Sequence, residues 1–169
     1  MTGESALQRA RALLMEITPL LTDCGKVCGG ACCHPDLGEV TGMLLFPGED
    51  AYYRDLPGYT MLPTNHGTLL LCGGKCRRED RPLSCRIFPL LPLVRKEGIH
   101  PAVDLRGKSI CPLARQGKSA LCPAFVDAVK RAGEILLEDP EQRRFLEELT
   151  AIQDDLTALR RQMGGDRHV

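Results

Sequence analysis

Four of the chain's nine cysteines lie within ten residues, in the segment CGKVCGGACC at 24–33. Thiolates are the ligands that proteins use for zinc and for iron–sulfur clusters. Nine cysteines make up about 5% of the chain, less than in small secreted disulfide scaffolds. In a reducing cytosol, clustered cysteines more often bind metal or carry redox chemistry than form disulfides. The first hypothesis is therefore a thiolate metal site.

Two separate segments share a C-x3-C spacing with glycine inside or beside it. The first runs Cys24-x3-Cys28-x3-Cys32-Cys33, and the second is CGGKC at 72–76. On a helix, residues four apart lie on one face. Glycine makes a continuous helix costly, by about 1 kcal/mol each, and favours tight loops whose amides point at sulfur. We therefore predict two glycine-containing cysteine loops that the fold brings together around one ligand shell.

Each cysteine also has a simpler interpretation, as a small buried apolar residue. For Cys122, alone before a predicted helix, the two interpretations are balanced. The adjacent residues Cys32 and Cys33 bond each other only through a strained ring, so their side chains more often diverge. If both bind metal, they serve two separate ions or two metals of one cluster.

The segments CGKVCGGACC, LLLCGGKCRREDRPLSCRIFP and ICPLARQGK resemble the YkgJ-type cysteine-cluster family, described as zinc- or iron-chelating domains. The resemblance covers residues 24 to about 118, and RPLSCRIFP is its most specific part. The gaps in the first segment are wider than is usual in the family, and Leu113 stands where glycine is commoner. The resemblance implies a metal site without an assigned reaction. Its ligands would be Cys24, Cys28, Cys32, Cys33, Cys72, Cys76, Cys85 and Cys111.

Eight thiolates divide into two four-ligand sites, and an all-thiolate shell selects zinc or an iron–sulfur cluster over magnesium, calcium or manganese. Zinc would stabilise the fold directly. An iron–sulfur cluster could carry electrons or sense oxidants. The cofactor is therefore expected to be zinc or an iron–sulfur cluster, and the residues alone do not choose between them.

Histidines and basic residues near the cysteines are the other candidates for the site. His34 is the best ligand candidate outside the cysteines, whereas the other histidines are expected in a turn (His66), a strand (His100) and the C-terminal tail (His168). We expect Arg86 to be buried in an ion pair with Asp80. Basic side chains that would offset thiolate charge are Lys26, Lys75, Arg77, Arg78 and Arg86, with Lys26 and Arg78 more typical of solvated surface.

A redox enzyme is the alternative function, either a thiol oxidoreductase using Cys32 and Cys33 or an enzyme using an iron–sulfur cluster. The C-x-x-C motif in a βαβ context is absent, and the second gap departs from the C-x3-C-x2-C signature of radical chemistry. No Ser-His-Asp arrangement or phosphate-binding glycine loop stands out. Metal binding without an assigned biological role is therefore the preferred function.

Composition and charge exclude several partners. Lysine plus arginine and aspartate plus glutamate both number 22, so no global positive field would hold a nucleic acid. No apolar run reaches the roughly 18 residues of a membrane span. The N-terminus carries no pattern of a secretory signal. We expect a cytoplasmic protein whose partners are metal ions, with no nucleic acid and no membrane.

Hydrophobic periodicity predicts helices at both ends and short strands between them. A helix is expected at 5–18, and strand-like segments at 39–46, at 59–72 around a tight turn at Asn65-His66-Gly67, and at 86–105 as a second hairpin. Pro89 and Pro92 would confine the first arm of that hairpin to an edge strand or an extended segment.

Two helices are expected after residue 122. The second would begin with Asp139 as its N-cap and Gln142 completing a capping box. Its apolar stripe predicts core packing, with pairing to a second subunit as the alternative. The stripe comprises Phe145, Leu149, Ile152, Leu156 and Leu159.

These elements predict one α+β domain over residues 1–169. It would have a small antiparallel sheet and cysteine-rich loops, flanked by an N-terminal helix and two C-terminal helices. The cysteine-cluster core would span 24–118 and the C-terminal helical extension 123–163.

Overall fold

The computed structural model describes residues 3–33 and 42–164. The fold is α+β, as predicted, with short strands between an N-terminal helix and two C-terminal helices. In these ranges the elements are α1 (Ala6–Leu13), α2 (Cys24–Cys28), β1 (Gly42–Leu44), β2 (Tyr59–Thr64), β3 (Gly67–Cys72), α3 (Leu83–Ile87), β4 (Leu90–Arg95), β5 (Gly98–Val103), α4 (Pro112–Gln116), α5 (Pro123–Leu136) and α6 (Pro140–Gln162).

The strands form two antiparallel sheets rather than one. The first has the order β1-β3-β2, and β4 and β5 form a separate two-stranded sheet. The predicted tight turn is confirmed, because Thr64 pairs with Gly67 across Asn65 and His66. In the second sheet Pro92 stands opposite Pro101. Both strands of a two-stranded sheet are edges, so these prolines remove no hydrogen bond from a central strand.

The N-terminal helix is shorter than predicted. Its N-cap is Ser5, whose hydroxyl accepts from the Gln8 amide at 3.1 Å while the Gln8 side chain accepts from the Ser5 amide at 2.8 Å. This reciprocal pair is a capping box, which satisfies two amides that a helix start leaves unbonded. The helix ends at Leu13 rather than near Pro19.

The segment RIFPLLPLV was predicted as one extended arm, and this was wrong for its first residues. Arg86 and Ile87 belong to the short helix α3, and β4 begins only at Leu90. Leu83 and Ile87 are four residues apart, so they lie on one face of this helix, and both side chains pack into the main core.

The largest hydrophobic core lies between α1, α3, the β4–β5 hairpin, α5 and α6. Phe125 and Val129 are fully buried on α5, and the Phe46 and Phe145 rings meet edge-on with centroids 4.9 Å apart. A smaller cluster gathers Leu45, Tyr53 and Leu70 beside the first sheet. The terminal helices therefore supply much of the core, and the cysteine-bearing segments lie between them in the sequence.

The helix α6 packs on the core through its N-terminal half. Phe145 and Leu149 are buried and Ile152 is partly buried, which confirms the predicted packing face, whereas Leu159 is exposed. The Asp139 side chain caps the helix, as predicted. The predicted capping box is wrong: Gln142 donates instead to the Pro47 carbonyl at 2.8 Å, and its buried Oε1 has no hydrogen-bond partner among the described residues.

Gly133 allows α5 to lie close against the β4–β5 hairpin. A Cβ there would meet Pro92 Cβ at 2.7 Å and Ile99 Cγ2 at 2.8 Å. Overpacking a core costs about 1–3 kcal/mol, more than the roughly 1 kcal/mol that alanine gains over glycine in a helix. We expect Gly133→Ala to lower the free energy of unfolding in urea titrations. The neighbouring exposed change Glu134→Ala should leave it within about 0.5 kcal/mol, and an equal effect of the two would contradict this packing.

Candidate metal centre

Eight cysteines from four segments of the chain lie in one region of the molecule. Cys24, Cys28, Cys32 and Cys33 lie in α2 and the turn after it, Cys72 ends β3, and Cys76 lies in the following loop. Cys85 is on α3, and Cys111 is the N-cap of α4. Electrostatic interactions between the thiols connect them into one continuous cluster, which we call the thiol cluster; the links run through Cys24, Cys32, Cys76 and Cys85.

The first C-x3-C pair lies on a helix, where the glycine content had favoured a loop. Asp23 caps α2 by accepting from the Gly25 amide at 3.0 Å. The helix is one turn long, so Cys24 and Cys28 share a face. It ends at Gly29, whose φ of 69° is a left-handed conformation that glycine adopts at no steric cost. Glycine therefore ends the helix without preventing it.

The turn after α2 presents the vicinal pair. The Cys33 amide donates to the Gly30 carbonyl at 2.8 Å, which fixes the backbone where the two cysteines meet. The Cys32 and Cys33 sulfurs are 4.0 Å apart. No disulfide joins any of the cysteines in the described residues.

The second cysteine segment is a loop, as predicted. Cys72 is the last residue of β3 and stands opposite Tyr59 of β2. Gly74, with a φ of 79°, turns the chain towards Cys76. After a short 3-10 turn at Arg78–Asp80, the chain enters α3, which carries Cys85. The strand end, the loop after it and the short helix thus present three sulfurs from residues 72–85.

A buried polar network anchors α3. The Glu49 carboxylate, which has no exposed surface, accepts from the Leu83 amide at 2.7 Å and from the Phe46 amide at 3.2 Å. It also forms an ion pair with Arg11. The Tyr53 hydroxyl donates to the Asp80 carbonyl at 2.7 Å. This network fixes the start of the helix that carries Cys85.

Cys111 joins the cluster from the turn before α4. Its amide donates to the Gly107 carbonyl at 2.8 Å. A Cβ on Gly107 would stand 2.7 Å from the Phe88 ring, so glycine permits this turn to lie against that ring. Phe88 in turn lines a cavity of about 70 Å³ whose cysteines are Cys24, Cys28, Cys32 and Cys111.

Burial and neighbouring thiols keep several cysteines protonated. Burial raises the pKa of Cys24, Cys76 and Cys85, with further increases from adjacent thiols. The pKa of Cys32 is raised far above its usual value, first by its contact with Cys33 and then by burial. A reactive redox thiol has a lowered pKa instead. Gathered thiols of this kind release their protons when a cation binds.

Arg81 is a basic residue that interacts with several thiols of the cluster, and sequence reasoning missed it. Its guanidinium hydrogen-bonds the Cys76 thiol and interacts electrostatically with Cys33, Asp23 and Cys24. Arg81 lowers the pKa of both Cys24 and Cys76 against the effect of burial. The signal was in the sequence, because Arg81 opens RPLSCRIFP, the most specific part of the family resemblance.

The predicted ion pair of Arg86 with Asp80 was wrong. Arg86 is buried and donates to the carbonyls of Arg11, Arg81 and Glu79 at 2.7, 2.9 and 2.9 Å. Asp80 binds Arg77 instead, at 2.8 Å. Three backbone carbonyls can satisfy a guanidinium without a carboxylate because it has five donors in a fixed fork.

The other proposed basic and histidine candidates are placed less centrally. Lys26, Lys75 and Arg77 are exposed, and Arg78 is half-buried, donating to the Met15 and Ile17 carbonyls. His66 and His100 are exposed in the turn and strand where they were expected. His34 and His168 lie outside the described residues.

Cys122 has a different setting. Its amide donates to the Pro19 carbonyl at 2.8 Å, it is the N-cap residue of α5, and it packs against the main hydrophobic core. Of its two sequence interpretations, the structure favours the apolar one.

As placed, no three of the Cys, His, Asp and Glu side chains in residues 3–33 and 42–164 stand close enough to hold one metal ion. In the same ranges, no helix is both long and apolar enough to span a membrane. The donor set nevertheless has the chemistry of a zinc or iron–sulfur site, since its eight members are all sulfur.

Comparisons with known proteins neither support nor refute the family resemblance. No protein-family profile, no curated protein and no solved structure matches the chain. The resemblance to the YkgJ-type family therefore stays a prediction.

Proposed function

We propose that this protein binds metal, as zinc or an iron–sulfur cluster, through the eight thiolates of the thiol cluster. The observation that carries the proposal is that eight sulfurs from separate parts of the chain gather in one region, while Cys122 packs against the core. An apolar role for the eight does not explain their setting, because Cys32 and Cys72 are exposed and most of the others are only partly buried.

Gathering the thiols opposes their ionisation while no cation lies among them. The pKa of Cys85 is raised by burial and then by Cys33, Cys76 and Cys72, so the charged forms oppose one another. A bound cation reverses that balance, since coordinated thiols are deprotonated outright. The thiolate forms of these cysteines are therefore favoured only when positive charge lies among the sulfurs.

Metal loading requires the thiols to move closer together, and α2 is an element that could shift. None of its five residues is buried. Helices this short are marginal in water and depend on tertiary contacts. Coordination by Cys24 and Cys28 would supply those contacts and hold α2 in place.

A thiol oxidoreductase using Cys32 and Cys33 is the alternative function. The two sulfurs are 4.0 Å apart. The raised pKa of Cys32 is opposite to what thiol–disulfide exchange needs. No further observation favours this function, so metal binding is preferred.

We place the protein in the cytoplasm, with metal ions as its partners and without nucleic acid. Thiols persist where glutathione and thioredoxin keep the compartment reducing. In an oxidising compartment, the half-exposed cysteines of the cluster would be open to oxidation. The proposed homodimer through the C-terminal helices stays a prediction.

Purification without oxygen tests the proposal and separates the two metals. An iron–sulfur protein should be brown and absorb near about 400 nm, whereas a zinc protein should be colourless with stoichiometric zinc by elemental analysis. Protein that contains neither metal, and takes up neither when reduced and loaded, would refute metal binding.

Cys85→Ser and Cys122→Ser form a matched pair of variants. We expect Cys85→Ser to lower the bound metal per chain, because it removes a thiolate from the thiol cluster. Cys122→Ser should leave the metal content of the parent unchanged, since its side chain packs against the core. Elemental analysis of both proteins, purified in parallel, measures the difference. Equal metal content in the two variants would remove Cys85 from the ligands.

A further inference from the structure

A cavity of about 360 Å³ lies between the first sheet, α3 and α6. No cysteine is among the described residues that line it, so it is distinct from the thiol cluster and does not depend on metal binding. The function proposed above leaves this space without a role. We propose that the cavity binds a small organic acid in which an apolar chain carries a single carboxylate.

The walls of the cavity are mostly apolar. They include Leu44 of β1, Leu69 of β3, Ile87 of α3, and Leu149 and Ile152 of α6. Small-molecule sites in proteins have volumes of about 300–1,000 Å³ and are lined mainly by side chains of this kind. An apolar cavity of only about 150 Å³ already binds benzene. This cavity therefore has room for a larger apolar body, such as a hydrocarbon chain.

Hydrogen bonds between the elements hold the walls in place. The Ser84 hydroxyl on α3 donates to the Leu44 carbonyl of β1. On the other side, the buried Gln153 side chain of α6 accepts from the Leu105 amide at 3.2 Å and donates to the Val103 carbonyl at 2.7 Å. These bonds join α3 to β1, and α6 to the end of β5 and the residue that starts the following turn. Braced walls are typical of ligand sites that are largely pre-formed.

Arg106 carries the one permanent positive charge among the described residues that line the cavity. It lies in the 3-10 turn Leu105–Ser109 and pairs with the buried Asp104, which also lines the cavity. Both carboxylate oxygens of Asp104 are occupied. Its Oδ1 accepts from the Arg106 amide at 2.9 Å and from Nε at 3.0 Å, and its Oδ2 accepts from Nη2 at 2.8 Å. The acceptors of this ion pair are therefore already used.

The guanidinium of Arg106 keeps donors for a ligand. It has five N–H groups in a fixed fork, and Asp104 takes one on Nε and one on Nη2. Among the described residues, no other acceptor bonds the remaining N–H groups, and the side chain is 44% exposed. Guanidinium groups bind carboxylates through charge-assisted, often paired hydrogen bonds. An acid whose chain fills the apolar space can thus place its carboxylate on Arg106.

Methionine-methyl NMR of the full chain tests where such an acid binds. Met43 of β1 lines the cavity, whereas Met61 of β2 packs in the smaller hydrophobic cluster. Reduced protein labelled with ¹³C at the methionine methyls is titrated with decanoate, below the concentration at which decanoate forms micelles. We expect the Met43 signal to shift until it saturates and to show NOEs to the decanoate chain, while the Met61 signal stays unchanged. No shift of Met43, or equal shifts of both signals, would overturn the site.

Decanol and two variants test the carboxylate. Decanol has the same chain without the charge, so the ratio of decanoate affinity to decanol affinity isolates the contribution of the carboxylate. Arg106→Met retains an unbranched apolar stem and should lower this ratio by about tenfold, a modest loss because Asp104 offsets part of the guanidinium charge. Lys108→Met removes the same charge two residues further on, outside the lining of the cavity, and should leave the ratio unchanged. An unchanged ratio in Arg106→Met would overturn the acid as the ligand.

Other occupants of the cavity would be visible in the same spectra. NOEs from residues 34–41 to the Met43 methyl in the free protein would place part of the chain itself in this space. A Met43 signal that changes with protein concentration would place a second copy there. Either result would overturn the small acid as the occupant.

Discussion

Bound Zn²⁺ is expected to slow tryptic cleavage after Lys26 by about 100-fold when free metal stands at about 100 times its dissociation constant. Lys26 is exposed on α2, a five-residue helix without a buried side chain. A segment with so few buried contacts opens at little cost, and proteases cut the open form. Coordination by Cys24 and Cys28, on either side of Lys26, penalises opening by the full binding free energy of the site. Peptide mass spectrometry over time, with and without zinc, measures the ratio.

Cleavage after Arg160 is the internal control. This residue is exposed in the last turn of α6, away from the cysteines, so zinc should not change its rate of cleavage. Cys122→Ser should retain the protection of Lys26, whereas Cys24→Ser should lose most of it. Equal rates after Lys26 with and without bound zinc would show that the metal does not hold α2.

Glu49→Ala is expected to lower the free energy of unfolding by about 3–5 kcal/mol. The carboxylate is completely buried, bonds the amides of Leu83 and Phe46, and pairs with Arg11. Its removal leaves a buried guanidinium without its counter-charge and two amides without acceptors, and each unsatisfied buried group is costly. Urea denaturation monitored by circular dichroism measures the loss.

Asp50→Ala is the matched control for Glu49→Ala. Asp50 is the next residue, and its carboxylate pairs with Arg54 at 3.1 Å on the surface. Exposed pairs contribute about 0–1 kcal/mol, so this variant should stay close to the parent. Should Glu49→Ala cost no more than Asp50→Ala, the carboxylate would not be the anchor of α3.

Much of the fold follows from local patterns, and the failures occur where tertiary contacts override them. The long helices α5 and α6 and the β2–β3 turn were predicted because their periodicity and turn residues agree. The short helix α3 was not predicted, since LSCRI spans barely one turn and is followed by prolines typical of extended chain. Its start is fixed by Glu49, more than thirty residues earlier, which no local pattern records.

The site divides in the same way. Cysteine spacing and glycine content predicted that the cysteine segments at 24–33 and 72–76 come together, whereas Cys85 and Cys111 were named only by the family resemblance. The partner of Arg86 could not be predicted, because the carbonyls it binds come from Arg11 as well as from its own neighbourhood. Sequence spacing also cannot tell which sulfur faces which: the adjacent side chains of Cys32 and Cys33 were expected to diverge, and their sulfurs lie 4.0 Å apart.

The closing of the main core by α5 and α6 has a consequence for protein synthesis. A chain leaves the ribosome from its amino end, and folding units form as they emerge. Cys122 directly precedes α5, so all nine cysteines emerge before Phe125, Val129 and Phe145 can complete the core. The cysteine-bearing segments are thus synthesised before the two helices that complete the main core. Newly made thiols meet the metal and oxidant content of the cell before folding is complete.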